Sequence, residues 1–175
     1  MKANNGPINL RSATKKDVNQ LISWWADGRV MAHAGFPNGI NTDKDKLTKD
    51  IQKQNNQVQP ESERLVIEYN EKLIGEMSYR KLENNVYEIG IKICDFDYQN
   101  KGLGKYCMKA LMNYLFQVRL ATKIILDTNQ LNKRAQYFYK KLGFKQVGIR
   151  ENAFTNQLGV PQTAIDFELS QENFQ

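Results

Sequence analysis

Soft metal ligands are nearly absent from this chain: its 175 residues include two cysteines, Cys94 and Cys107, and one histidine, His33. Three such residues cannot fill the four-ligand shell of a structural zinc, and one cysteine pair makes no disulfide framework, so neither device is expected to hold the fold. Catalysis, if present, must then draw on carboxylates, hydroxyls and backbone groups. A long apolar run is missing as well. The charge-free stretch of the central helical region, 110–118, is far shorter than the roughly 18 residues a membrane span needs. The opening Met-Lys-Ala-Asn-Asn-Gly-Pro lacks the apolar stretch of a secretory signal. Together these absences predict a protein of the reducing cytoplasm with no membrane partner and no metal. No arginine-rich tract, aromatic RNA-binding signature or helix-turn-helix pattern occurs, so a nucleic-acid partner is not expected either. Charge is unbalanced, 25 Lys and Arg against 19 Asp and Glu for a net +6, which favours anionic partners without naming one.

What is present suits a single domain over 1–175 with its core in about 8–169, because a chain of this length supports one hydrophobic core. A short alternating strand, 8–11, precedes Thr14-Lys15-Lys16-Asp17, which reads as an N-cap with an acidic residue in the first turn of a helix reaching about Trp25. Segment 28–40 mixes turn formers with aromatic and apolar side chains and predicts a shaped loop. A polar helix opens at 42–45, with Leu47 and Ile51 four apart. Segments 64–69, 73–79 and 87–94 read as an antiparallel meander. Leu103, Cys107, Leu111, Leu115 and Val118 mark one apolar helix face. A strand at 123–127, a helix at 132–142 stopped by Gly143, and strands at 144–147 and 164–169 complete the chain. The predicted architecture is α/β, a mixed and mostly antiparallel sheet flanked by helices.

The stretch that carries chemistry joins the third meander strand to the central helix: Gln99-Asn100-Lys101-Gly102-Leu103-Gly104-Lys105. Amides at a helix start lack acceptors and the helix dipole adds positive charge, so a phosphate can dock there, with glycines letting its oxygens approach. Lys101 and Lys105 stand beside it. A P-loop needs four residues between its glycines, and a dinucleotide fingerprint needs a third glycine where Cys107 stands. Neither template fits.

Gln99-Asn100-Lys101-Gly102-Leu103-Gly104 instead resembles the Gln-x-x-Gly-x-Gly signature of the GCN5-related N-acetyltransferases, the GNAT family. About thirty residues on, Asn132 to Phe144 resembles that family's Asn-x-x-Ala-x-x-Phe-Tyr-x-Lys-x-Gly-Phe block. The resemblance implies the acyl-CoA N-acyltransferase fold and acetyl-CoA as co-substrate. Its pyrophosphate would lie on Asn100, Lys101, Gly102, Leu103, Gly104 and Lys105, and its pantetheine would lie between the strands at 87–94 and 123–127. Backbone groups of Lys92, Ile93 and Cys94 would bind the pantetheine, and one amide would polarise the thioester carbonyl. Gln99, Asn132 and Tyr139 complete the implied cofactor contacts.

Acetyl transfer to an amine poses two proton problems: the ammonium must lose a proton before it can attack, and the departing thiolate benefits from receiving one. The resemblance makes Tyr139 the acid. For the base, Asp127 matches an acidic position used in some family members, and Glu88, with Glu76 behind it, lies on the central strands. His33 stays outside the catalytic set as a loop histidine, Cys107 reads as a small buried residue, and one of Trp24 and Trp25 is free to line the acceptor cleft. Glu-Ile-Gly-Ile at 88–91 and the segment 148–154 are similar to the branch holding ribosomal-protein N-terminal and spermidine acetyltransferases. The expected acceptor is a primary amine, of a peptide or a small molecule, attacking directly in a ternary complex. An aminoglycoside-type acetyltransferase and a non-catalytic CoA-binding or nucleic-acid-binding module are the alternatives. A homodimer is compatible with the resemblance.

Overall fold

The computed structural model describes residues 2–5 and 7–174. Its strands form one eight-stranded sheet in the order β1-β2-β3-β4-β5-β6-β8-β7. These are β1 (Lys2–Asn5), β2 (Ile8–Ser12), β3 (Ser62–Tyr69), β4 (Lys72–Lys81), β5 (Val86–Ile93), β6 (Lys123–Asn129), β7 (Lys145–Thr155) and β8 (Pro161–Ser170). Every neighbouring pair is antiparallel except β5 with β6. Five helices cover it: α1 (Val18–Ala26), α2 (Gly28–Met31), α3 (Lys44–Asn55), α4 (Leu103–Asn113) and α5 (Lys133–Lys141). The mixed, mostly antiparallel sheet with flanking helices is the architecture the sequence predicts. No helix among the described residues is long and apolar enough to cross a membrane.

Local chemistry sets the helix ends. Thr14 and Asp17 form a reciprocal capping box before α1, whose Val18, Leu21, Trp24 and Trp25 are buried. The Asp43 side chain accepts from the Lys46 amide at 3.0 Å to start α3. Asn132 Oδ1 accepts from the Ala135 amide at 3.1 Å to start α5. At the other end of α5, Gly143 takes a φ of 94°, and the Phe144 amide reaches back to Tyr139 O at 3.1 Å, a Schellman stop.

Two cores result, one on each face of the sheet. The larger packs α4 and α5 on β2 to β6 and β8, with Leu10, Tyr79, Met108 and Phe167 buried in it. The smaller packs α1, α2 and α3 on the opposite face around Leu21, Trp25, Ile51 and Val66.

Several expectations need correction. Residues 2–5, read as a polar lead, pair with β2 in register. The shaped loop at 28–40 begins with helix α2 and a 3₁₀ turn over Ala32–Ala34. Val118 leaves the apolar face and is 59% exposed. The cause is a π turn over Tyr114–Val118, in which the Arg119 amide bonds Tyr114 O and the wider turn rotates Val118 outward. The final two strands are much longer than predicted, because register shifts between Gln146 and Gly148 and between Arg150 and Phe154 interrupt the alternation of β7.

Candidate active site

β5 and β6 are parallel partners for only three positions, Val86 with Lys123, Tyr87 with Ile124 and Glu88 with Ile125. Beyond them β5 stays on β4 and β6 stays on β8, so the two strands part and open a cleft of about 770 Å³. The turn before α4, the start of α5 and segment 28–34 line it, along with Phe154 and Ala164 from the β7–β8 hairpin.

At one end, Asn100 (φ 59°) and Gly102 (φ 75°) take left-handed conformations. The Lys105 amide bonds Gly102 O at 3.1 Å, whereas the amides of residues 100–104 meet no protein acceptor among the described residues. Five donors thus lie where the α4 dipole is positive, a cradle for a polyanion. The two glycines serve different ends. A Cβ on Gly102 would meet nothing within 4 Å, which leaves its face open to a ligand. One on Gly104 would come into contact with the Phe138 ring of α5 at 3.4 Å. Gln99 ties the turn down: its Nε2 donates to Ile93 O at 2.8 Å and its Oε1 accepts from Arg134 at 3.1 Å. Arg134 also reaches Asn100 Oδ1 at 3.2 Å. This exposed arginine lines the cleft beside Lys105 and was not foreseen, since it occupies an unspecified position of the Asn132 block. Lys101 instead lies over the Tyr98 ring, 5.4 Å from its centroid, outside the cleft lining.

Backbone direction along β5 alters one expectation. Opposite residues of an antiparallel pair alternate between bonded and non-bonded. The Leu82 amide bonds Val86 O and the Cys94 amide bonds Ile74 O, so Val86, Glu88, Gly90, Lys92 and Cys94 face β4. Lys92 and Cys94 therefore do not offer their amides to the cleft. Ile91 and Ile93 do, with the Ile93 carbonyl already taken by Gln99.

Tyr139 lines the cleft from α5 with 7% exposure, packed against Phe144 and Phe167. Its hydroxyl meets no protein partner among the described residues. Burial, reinforced by the nearby Asp127 charge, pushes that hydroxyl up to about 12, so it holds its proton throughout the physiological range. Asn132, spent at its Oδ1 on the α5 cap, lines the same wall.

The three candidate carboxylates are all engaged. Asp127 Oδ2 bonds Arg150 Nη2 at 2.5 Å, and Arg150 in turn grips Asp166. Asp127 nevertheless lines the cleft. Glu88 bonds Arg80 at 2.5 Å and lies outside the main cleft, in an adjoining one of about 420 Å³ that reaches α3. Glu76 is buried and accepts from Trp25 Nε1 (2.9 Å), Arg64 Nη1 (2.8 Å) and Lys92 Nζ (3.2 Å). Burial alone would raise its carboxyl, but Lys92 and Arg64 outweigh that and hold it below the ordinary value. His33 lines the cleft from the 3₁₀ turn. Trp24 and Trp25 are both packed in the smaller core and neither lines the cleft. Cys94 and Cys107 are buried thiols; burial pushes Cys107 up to about 12 and Cys94 further in the same direction, so neither is a thiolate nucleophile.

One residue ties the β7–β8 hairpin to the segment that follows α2. Gln157, at the tip of the β7–β8 hairpin, donates its amide to Gly35 O (2.9 Å) and its Nε2 to Gly39 O (2.7 Å), and its Oε1 accepts from the Asn38 amide (2.9 Å). The Phe154 ring presses on Gly35 so closely that a Cβ there would come within 2.8 Å.

Known proteins share this fold. A spermidine N-acetyltransferase from Vibrio cholerae, crystallised with CoA and spermine, superposes with a TM-score of 0.84 at 20% identity, covering 97% of this chain and 98% of that one. A GNAT-family acetyltransferase from Streptococcus pneumoniae superposes with a TM-score of 0.76 at 18% identity, covering 93% and 99%. At such identities the likeness speaks for the fold. The sequence profile of the acetyltransferase (GNAT) domain matches residues 8–145, most of the chain. The free amides at the α4 start, the parted strands and the tyrosine between them thus lie in a chain that belongs to the GNAT family and is an acetyl-CoA-dependent N-acetyltransferase.

Proposed function

We propose that this enzyme acetylates a small-molecule primary amine by direct attack on acetyl-CoA within one ternary complex, working in the cytoplasm. The observation that carries the reading is a continuous path. It runs from the unpaired amides of 100–104, along the exposed Ile91 and Ile93 edge of β5, to the Tyr139 hydroxyl. Acetyl-CoA supplies an acyl group already activated as a thioester. The chain supplies position and proton traffic. Amides at 100–104 hold the diphosphate, with Lys105 and Arg134 beside it. The Ile91 and Ile93 edge binds the pantetheine in the manner of an added strand, and one of these amides polarises the carbonyl oxygen. Lys92 and Cys94 shape this edge through β4 instead of touching the pantetheine.

Tyr139 is the donor to the departing sulfur. Held at about 12, its hydroxyl is protonated at working pH, but full transfer to a thiolate whose thiol titrates near 8.5 is uphill, so the hydroxyl stabilises the developing thiolate by a hydrogen bond and solvent completes its protonation. Asp127 is the base: its Oδ1 has no protein partner among the described residues and takes the amine proton through water, while Arg150 holds the carboxylate in place through Oδ2. The acceptor approaches from the side of α2, Gly90 and Ser78, the face opposite α4. The spermine bound by the Vibrio cholerae relative supports a small amine over a folded protein substrate. Free thiol release from acetyl-CoA with a panel of small amines tests the assignment, and a panel that spans charge and length yet releases no thiol would refute it.

A further inference from the structure

The acceptor side of the cleft carries a guanidinium that the reaction as described leaves unused. Arg64 projects from β3 to the junction of the two clefts, which share Ser78, Gly90 and Asp127 at that point. Its Nη1 is bonded to Glu76 and its plane lies over the Trp25 ring, 4.4 Å from the centroid. The Nε and Nη2 hydrogens, the side-on edge that matches a carboxylate with two parallel bonds, have no protein acceptor among the described residues. Stacking and the Glu76 bond fix that edge before any ligand arrives, so little side-chain entropy remains to be lost on binding.

Charge points the same way. Glu76 offers one negative charge to two half-buried cations, Arg64 and Lys92, so the cluster is left with a surplus of one positive charge. Across the cleft Arg150 serves both Asp127 and Asp166, which leaves one negative charge there, and Glu88 is matched by Arg80, so a substrate with one cationic and one anionic end fits these walls better than a polycation. The floor beside Arg64 is low, since Gly90 has no side chain and Ser78 is small. We infer that the acceptor of this enzyme is a primary amine that also bears a carboxylate, and that Arg64 is the residue that selects it. This rests on the transferase reading above and narrows its substrate class.

The test compares ω-amino acids of increasing length with the matching ω-amino alcohols and diamines, reading thiol release as kcat/KM. The wild-type enzyme should prefer the best amino acid over its alcohol by roughly 10- to 100-fold, the worth of a hydrogen-bonded charge pair. Arg64→Gln should bring that ratio to within about threefold of unity, and Arg64→Lys should restore only part of it because the fork is lost. The wild-type ratio stands as evidence even if a variant folds poorly. Short peptides ending in a free carboxylate or in an amide show whether the carboxylate comes from an amino acid or a peptide; a preference for the acid in either series supports the inference. Diamines or alcohols turned over as well as amino acids would overturn it while leaving the acetyltransferase intact. Thiol release with no acceptor at all would instead bring down the underlying assignment.

Discussion

Replacing Glu76 by alanine is the sharpest probe of how the acceptor wall is held. The substitution removes one buried carboxylate and strands three donors at once: Trp25 Nε1, Arg64 Nη1 and Lys92 Nζ. Breaking a buried ion pair from one side costs about 3–5 kcal/mol. Here the two cations keep 33% and 35% of their side chains exposed, so water recovers part of the loss and the lower end, about 3 kcal/mol, is expected. For a domain of this size that is a fall in melting temperature of roughly 6–12 °C. Glu76→Gln keeps the shape and one acceptor for Trp25 and should cost less. The sign of the pH dependence follows from the lowered carboxyl. Its contribution is complete above the unfolded value of about 4.3 and is lost as pH falls through the folded value. Urea unfolding of the three proteins between pH 3 and 7 measures this. The gap between wild type and Glu76→Gln should close toward pH 3. A gap that is flat across that range, or an alanine variant within about 0.5 kcal/mol of wild type at pH 7, would show that the triad holds nothing together.

Tyr139→Phe should lower kcat by about 100-fold or more while leaving the affinity for acetyl-CoA within twofold, as judged by calorimetry; equal losses in both would mean the ring packs and the hydroxyl does nothing. Because its proton is held until about 12, any alkaline fall in wild-type rate below pH 10 should persist in this variant's pH profile. Gly102→Val places a branched side chain at φ 75° in otherwise open space, so it should weaken CoA binding at least tenfold with a stability loss of only about 1–2 kcal/mol. Gly28→Ala should instead damage folding, since its Cβ would stand 1.8 Å from Pro37 O; an alanine variant melting at the wild-type temperature would contradict the close approach.

How much of this could be read from the chain alone depended on whether the determining forces were local. Asn132 and Gly143 marked the ends of α5 because a cap and a left-handed stop are written in the residues that make them. The turn at 99–105 was legible for the same reason. Val118 was misplaced because a π turn shifts the angular phase of a helix without changing its composition. β7 was cut short because its bulges break the alternation by which a strand is recognised. The site was legible in its residue types and less so in their directions. Which β5 amides face the cleft depends on the register against β4, a contact between distant segments; the sequence offers Lys92, Ile93 and Cys94 alike, and of these the register turns only Ile93, together with Ile91, toward the cleft. Likewise nothing near Asp127 or Glu88 in sequence announced the arginines that bind them.

Gln157 meets residues 118 to 122 positions earlier in the chain, and all its hydrogen bonds there are to main-chain atoms. Such a latch does not read the side chain of Asn38, so the exposed Arg29, His33 and Ala34, which line the cleft, can change without loosening it, whereas Met31 is fixed in the smaller core. The diphosphate cradle and this loop wall are therefore separate pieces of chain, and exposed residues of the one can change without moving the other.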